Sequence, residues 1–237
     1  MTKRGKKYQD AMTKLGDQDP CSPEEAIALA RELSFVKFDE TVELHIRTNA
    51  DTRHADQLVR GTAVLPHGIG KEIRVLVFAE GEAVGIATQA GADYAGADEL
   101  IESVDGGWTE FDIAIATPMI MGKIGKLGRV LGRKGLMPNP RTGTVVPQED
   151  LPRVIGEAKQ GRVEYRMDRS GIIHVPIGRL SFSDAQIVDN LNVLIAYVNK
   201  DRPSAVKGRF MNSATMSTTM GVGVPMDVGV LSAITLG

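Results

Sequence analysis

The chain has 237 residues, enough for one large or two modest domains at roughly 150 residues each. Its 42% hydrophobic and 24% charged residues are those of a folded globular protein, which excludes dominant disorder and the collagen-like and low-complexity classes. The net charge of -2 argues, taken alone, against a nucleic-acid partner. The single cysteine, Cys21, excludes an intramolecular disulfide, and the four histidines have no zinc-binding spacing, so neither metal nor other cofactor is expected. No apolar run reaches 18 residues, and the basic start is followed by no apolar stretch of leader length, so a cytoplasmic protein without a membrane partner is expected.

The first predicted helix follows Ser22, which can cap it, with Pro23 at its first position and Glu25 closing a capping box. Ala26, Ile27, Leu29, Ala30 and Leu33 give it an apolar face. In Lys37 to Asn49, Val42, Leu44 and Ile46 alternate with Glu43, His45 and Arg47, the period of a strand with one wet face. A short strand over Thr62 to Leu65 leads to turn residues Pro66 to Gly70, where a domain boundary is placed. Ile73 to Ala79 is almost continuously apolar and reads as a strand buried on both faces. A helix over Glu82 to Ala90, a strand over Ala92 to Ala95, a helix over Ala97 to Val104 and a strand over Phe111 to Pro118 then predict a small parallel, three-layer α/β unit. Beyond Lys159 the half-buried alternation returns. Val163 to Leu180 is predicted as a hairpin turning at Asp168 to Gly171, and Ser183 caps a helix with Ile187, Leu191, Leu194, Ile195 and Val198 on one face. Gly208 to Val224 is extended and rich in Ser, Thr and Met. The similar texture of the two flanks predicts one α+β domain built from both chain ends, with the α/β unit inserted.

Charge is unevenly distributed. Met1 to Lys7 carries four basic residues, and Ile113 to Gln148 holds Lys123, Lys126, Arg129, Arg133, Lys134 and Arg141 with no acid. Lys71 to Asp112, just before, has two bases against ten acids, so neutralisation within the fold and contact with phosphate both remain open. The basic run is also rich in glycine. It lacks the GxxxxGK[ST] phosphate loop, and glycines three apart on a helix would form a smooth stripe for close packing, so RNA contact and structural packing both account for it. No GxSxG elbow or Cys-His pair appears, and the acids are expected on solvated helix surfaces. No enzymatic site is predicted; a nucleotide-dependent enzyme and a protein adaptor are the alternatives. Near the chain ends, Phe38 and the hydroxyl-rich stretch Ser213 to Met220 suit either ordinary strand edges or a surface for ribose and phosphate.

Lys37 to Ile46, Val59 to Lys71, Gly91 to Leu100, Phe111 to Met121, Lys126 to Val145 and the TTMG of Thr218 to Gly221 together resemble the ribosomal protein L-one family, the bacterial large-subunit stalk proteins. The likeness runs nearly end to end. It implies a discontinuous α+β RNA-binding domain, 1–68 with 160–237, and a Rossmann-like α/β domain, 69–159, inserted through a two-stranded hinge. It further implies a structural, non-enzymatic protein of the 50S subunit that binds 23S ribosomal RNA directly. Such a protein forms the mobile stalk near the exit site, assists release of deacylated tRNA, and represses translation by binding its own operon mRNA. Carried onto matching positions, the RNA-binding residues would be Phe38, Thr41, Glu43, Ser213, Thr219, Met220 and Gly221, with the six cations of the glycine-rich segment forming a secondary basic surface. The end segments hold 18 bases and 17 acids and the insert 10 and 13, so shape and hydrogen bonds are expected to outweigh bulk charge.

Overall fold

The computed structural model describes residues 4–235. Lys3, one of the basic residues at the start, lies outside them. In chain order the elements are α1 (Lys6–Leu15), α2 (Pro23–Glu32), β1 (Thr41–Thr48), β2 (Arg60–Val64), β3 (Val75–Phe78), α3 (Glu82–Gln89), β4 (Tyr94–Gly96), α4 (Asp98–Asp105) and β5 (Ile113–Ala116). They continue with α5 (Met121–Ile124), α6 (Gly128–Lys134), α7 (Leu151–Gln160), β6 (Arg162–Arg166), β7 (Ile172–Arg179), α8 (Asp184–Lys200), β8 (Met211–Thr218), β9 (Val224–Met226) and α9 (Val228–Ser232). They form two compact units, Met1–Gly70 with Val163–Gly237, and Lys71–Arg162, and each has its own apolar interior.

In the first unit β1 pairs antiparallel with β7 on one edge and β8 on the other, and β9 completes the order β7-β1-β8-β9. The alternation in β1 sends Val42, Leu44 and Ile46 into the core and Thr41, Glu43, His45 and Arg47 to the opposite face. Helices α2 and α8 pack on the core side. Both begin with complete capping boxes, Ser22 with Glu25 and Ser183 with Gln186, so donors that a helix start leaves unpaired are satisfied locally. All five apolar residues expected on one face of α8 are buried.

Several expectations need correction. A basic helix, α1, precedes the one expected to be first, and α7 and α9 also went unforeseen. The turn at Asp168 to Gly171 forms, with Asp168 Oδ1 accepting from the backbone N–H groups of Ser170 and Ile172 and Gly171 at φ +78°. Its two arms do not make a hairpin: β6 pairs with β2 in a separate two-stranded sheet, and β7 joins β1. Each arm buries its apolar side in the shared core, and the strands diverge to do so.

The second unit is three-layered. Parallel strands in the order β4-β3-β5 carry α3 and α7 over one apolar cluster and α4 with the α5–α6 region over the other. All four residues of β3 are buried, as a strand covered on both faces requires.

Two buried polar arrangements tie the first unit together. Glu40 is fully buried just ahead of β1, not on a helix surface as expected of the acids. Its carboxylate accepts from Ser34 Oγ at 2.6 Å and from the backbone N–H of Met220 at 2.8 Å, while its carbonyl accepts from Leu180 N at 2.9 Å. Tyr165 in β6 is likewise buried, with its hydroxyl donating to Asp201, and Gly61 is required beside them because a Cβ there would overlap both groups. Burial, reinforced by the bond to Asp201, pushes the Tyr165 pKa far above its ordinary value.

Glu40→Ala leaves the Met220 N–H and Ser34 hydroxyl without their acceptor and should cost about 1–3 kcal/mol in a denaturant titration. Glu40→Gln keeps one acceptor oxygen and offers Ser34 a donor, and should cost less. For Tyr165, the unfolded chain releases its proton near pH ~10 while the folded chain holds it, so this contribution is complete below about pH 10 and falls as pH rises further. Melting temperature should therefore decline above pH ~10 in the parent protein and less steeply in Tyr165→Phe.

Candidate nucleic-acid interface

The sheet of the first unit has helices on one side, and its other side carries a dense polar array. Cross-strand pairing sets Glu43 beside Ser217, His45 beside Thr215 and Arg47 beside Ser213 on β8, and places Pro176 and His174 of β7 opposite Glu43 and His45. Inward positions of β8 are taken by Met211, Ala214, Met216 and Thr218, which forces Ser213, Thr215 and Ser217 outward. Thr41, Glu43 and Ser213 thus share one face. Thr219 closes its end, where its Oγ1 accepts from Thr41 N at 3.0 Å and its N–H donates to Thr41 O at 3.1 Å. The Thr219 hydroxyl therefore has a structural duty within the sheet.

Met220 and Gly221 form the turn that follows. The bond from Met220 N to Glu40 fixes this turn, and leaves the Met220 side chain 52% exposed. Gly221 has a negative φ but no room for a side chain, since a Cβ would collide with the Thr218 hydroxyl, which is buried without a partner among the described residues. Its glycine is thus explained within the turn, before any approach of RNA is invoked. Phe38 stands 55% exposed on the loop before β1. That loop is held by Asp39, whose carboxylate accepts from Ser181 N at 2.9 Å and Ser181 Oγ at 2.8 Å. All seven residues taken as the RNA-binding set lie in this unit, on the sheet face or the two loops at its end.

Three contributors were missed. The pocket beside Met220 is walled by Tyr8 and Phe35 and edged by Arg4, Lys6 and Lys7, so the basic start of the chain faces the TTMG turn. Helix α1 carries Lys6 and Lys7, with Arg4 just ahead of it, and its spacing of Tyr8, Ala11 and Leu15 was the available signal. His45 and His174 bond to each other through Nδ1 atoms 2.8 Å apart, a pairing that no local spacing announced. Buried Glu40 carries no periodic signal, because its role depends on residues 180 positions away.

The six cations of the glycine-rich segment belong to the second unit. There Ile124, Leu127 and Leu131 face the core, while Gly122, Gly125 and Gly132 are exposed alongside Lys123, Lys126, Arg129 and Arg133. A Cβ added at any of Gly122, Gly125, Gly128 or Gly132 would meet nothing within 4 Å, so the smooth stripe does not serve internal packing. Lys123 is neutralised by Glu80 at 2.7 Å and Asp98 at 3.1 Å, and Lys134 donates to Thr109. Lys126, Arg129, Arg133 and Arg141 make no ion pair among the described residues. The PNPRTGT end of the segment is locked onto Asn139, whose Oδ1 accepts from Arg141 N and whose carbonyl accepts from Thr142 and Thr144.

Cys21 is buried, donates to Pro225 O, and has its thiol pKa raised, chiefly by burial, so it is a structural residue. Among the described residues no cluster of three His, Cys, Asp or Glu side chains could hold a metal.

The ribosomal protein L1p/L10e family matches residues 30–222. The chain is 56% identical to a large ribosomal subunit protein uL1 of Thermomicrobium roseum, over 96% of this chain and 95% of that protein. Proteins of the same name from Dehalococcoides mccartyi and Chloroflexus aurantiacus are 51% and 54% identical, over 99% and 96% of each chain. These are structural proteins of the ribosome rather than enzymes. By a match that spans the sheet face from Phe38 to Gly221, the chain belongs to the ribosomal protein L1p/L10e family.

Proposed function

We propose that this chain is a structural component of the large ribosomal subunit, in the cytoplasm, and binds 23S ribosomal RNA through the outward face of its four-stranded sheet. The observation that carries this reading is the gathering of Thr41, Glu43, Ser213 and Thr219 at one polar face, with Phe38 and Met220 standing half-exposed at its end. Hydroxyls on such a face suit 2'-hydroxyls and phosphate oxygens, and the exposed ring and thioether suit a ribose or an unstacked base. Arg4, Lys6 and Lys7 beside Met220 supply phosphate contacts. The likeness to uL1 proteins supports the ribosomal setting. On that likeness we further assign the chain to the stalk near the exit site, where it assists release of deacylated tRNA, and to repression of its own operon mRNA. The first unit is proposed to be a domain that folds and binds RNA alone.

Phe38→Ala should weaken binding to large-subunit ribosomal RNA by about 1–3 kcal/mol, the range for losing one base-stacking aromatic ring, and Met220→Ala should weaken it too, both with unchanged melting temperature because both side chains are exposed. Normal affinity in both variants would remove this face from consideration. Thr219→Val should lower affinity and melting temperature together, since the hydroxyl it removes also holds Thr41. With about three to five phosphates neutralised, log K should fall with log salt at a slope of roughly -2 to -4.5, and a slope near -8 would contradict recognition led by shape. Replacing residues 71–161 by a short Gly/Ser linker should leave a folded, RNA-binding protein, because β2 and β6 on either side of the cut remain paired. Folding with loss of nearly all affinity would move the principal site to the glycine-rich segment.

A further inference from the structure

We propose that His45 and His174 are a proton-accepting pair within the RNA-binding face, so that RNA binding is accompanied by uptake of one proton at His45. The inference rests on the RNA-binding reading above and concerns residues outside the seven assigned to it. The rings sit directly across the β1–β7 pairing, with Nδ1 atoms 2.8 Å apart and centroids 4.9 Å apart in an edge arrangement. His45 Nε2 lies 2.8 Å from Ser217 Oγ, and His174 Nε2 lies 3.6 Å from the Asp168 carboxylate.

One set of proton positions satisfies both hydrogen bonds of the neutral pair and also turns a donor toward Asp168. The Asp168 carboxylate can only accept, so His174 carries its proton on Nε2 and its Nδ1 is an acceptor. His45 must then donate from Nδ1, which leaves its Nε2 to accept from the Ser217 hydroxyl. The chain of donors therefore runs from Ser217 through His45 and His174 to Asp168, and the Ser217 proton points inward. A proton taken from solvent by His45 Nε2 reverses the first link, between Ser217 and His45. Nε2 then donates to Ser217 Oγ, and the Ser217 hydroxyl must donate outward, to whatever covers the face. One added proton thus supplies a positive ring and an outward donor, both suited to a phosphate.

Burial and the neighbouring ring oppose this change until RNA arrives. Facing His45 are Glu43 at 3.9 Å and Arg47 on its own strand, His174 on β7, and the neutral hydroxyls of Thr215 and Ser217 on β8; Asp168, from the turn before β7, lies beyond His174. Burial and then His174 hold the His45 pKa below its ordinary value, with Glu43 working against them. A phosphate placed over the ring raises it. Since the bound form then has the higher pKa, affinity grows as pH falls through the interval between the free and bound values.

The test measures binding of the full-length protein to deproteinised large-subunit ribosomal RNA at pH 8, 7 and 6 and fixed ionic strength. Titration calorimetry at pH 7 in two buffers of different ionisation enthalpy accompanies it. Wild-type affinity should rise about tenfold across this range beyond any change seen in His45→Gln, and the two buffers should give different heats for the wild type alone. His174→Gln removes the neighbour that opposes protonation and should move the wild-type profile to higher pH; it carries the test if His45→Gln does not fold. Equal pH profiles in wild type and variants, or heats independent of buffer, would overturn the proposal. Absence of binding at every pH would overturn the RNA-binding reading itself, and this inference with it.

Discussion

From Val42 to Arg47, β1 is paired along both edges, with β7 on one side and β8 on the other. A strand held on both edges has no freedom of register, and a slip of one residue would exchange Leu44 and Ile46 for Glu43 and His45 in the core. The arrangement of the sheet face therefore follows from the same constraint that builds the interior. Every apolar residue that β1 and β8 send inward fixes a polar neighbour outward. Buried Glu40 then extends this order beyond the strands, since it attaches the turn holding Met220 to the segment leading into β1.

The local parts of this structure were legible in the sequence. Ser22, Pro23 and Glu25 specify a helix start within four residues, and the alternation around Leu44 specifies a strand without reference to its partners. The apolar run now seen as β3 likewise announced two covered faces. Pairing was less accessible. The arms around Asp168 look like a hairpin because each alternates and a good turn joins them, yet β6 and β7 enter different sheets, a choice made by distant partners β2 and β1. The candidate site divides in the same way. The hydroxyls of β8 lie in a segment whose composition already read as extended, whereas the contacts of Glu40 and of the histidine pair exist only once remote segments meet.

The glycine-rich segment separates two properties that its sequence combined. Its leucines and isoleucine make an ordinary helix face for the core, and its PNPRTGT end is a loop closed on Asn139. What internal structure does not account for is the run of glycines on the exposed side, where propensity alone disfavours them by about 1 kcal/mol each relative to alanine. Bare backbone there, beside Lys126, Arg129 and Arg133, which make no ion pair among the described residues, admits close approach from outside the unit. The family match covers this segment and the sheet face alike but begins at residue 30, so α1 and the cations beside Met220 stand outside it.

The bond from Thr41 to Thr219 joins residues 178 apart in sequence. During synthesis at about 5–20 residues per second, roughly 10 to 35 s separate the appearance of the two ends of this face. Over that interval β1 has no β8 beside it, and the inserted α/β unit, whose contacts are local to residues 71–162, can fold first. A nascent or prematurely terminated chain would carry its whole basic, glycine-rich segment and still lack the sheet face. The polar face therefore exists only once Ser213 to Gly221 have been made and β8 has paired with β1.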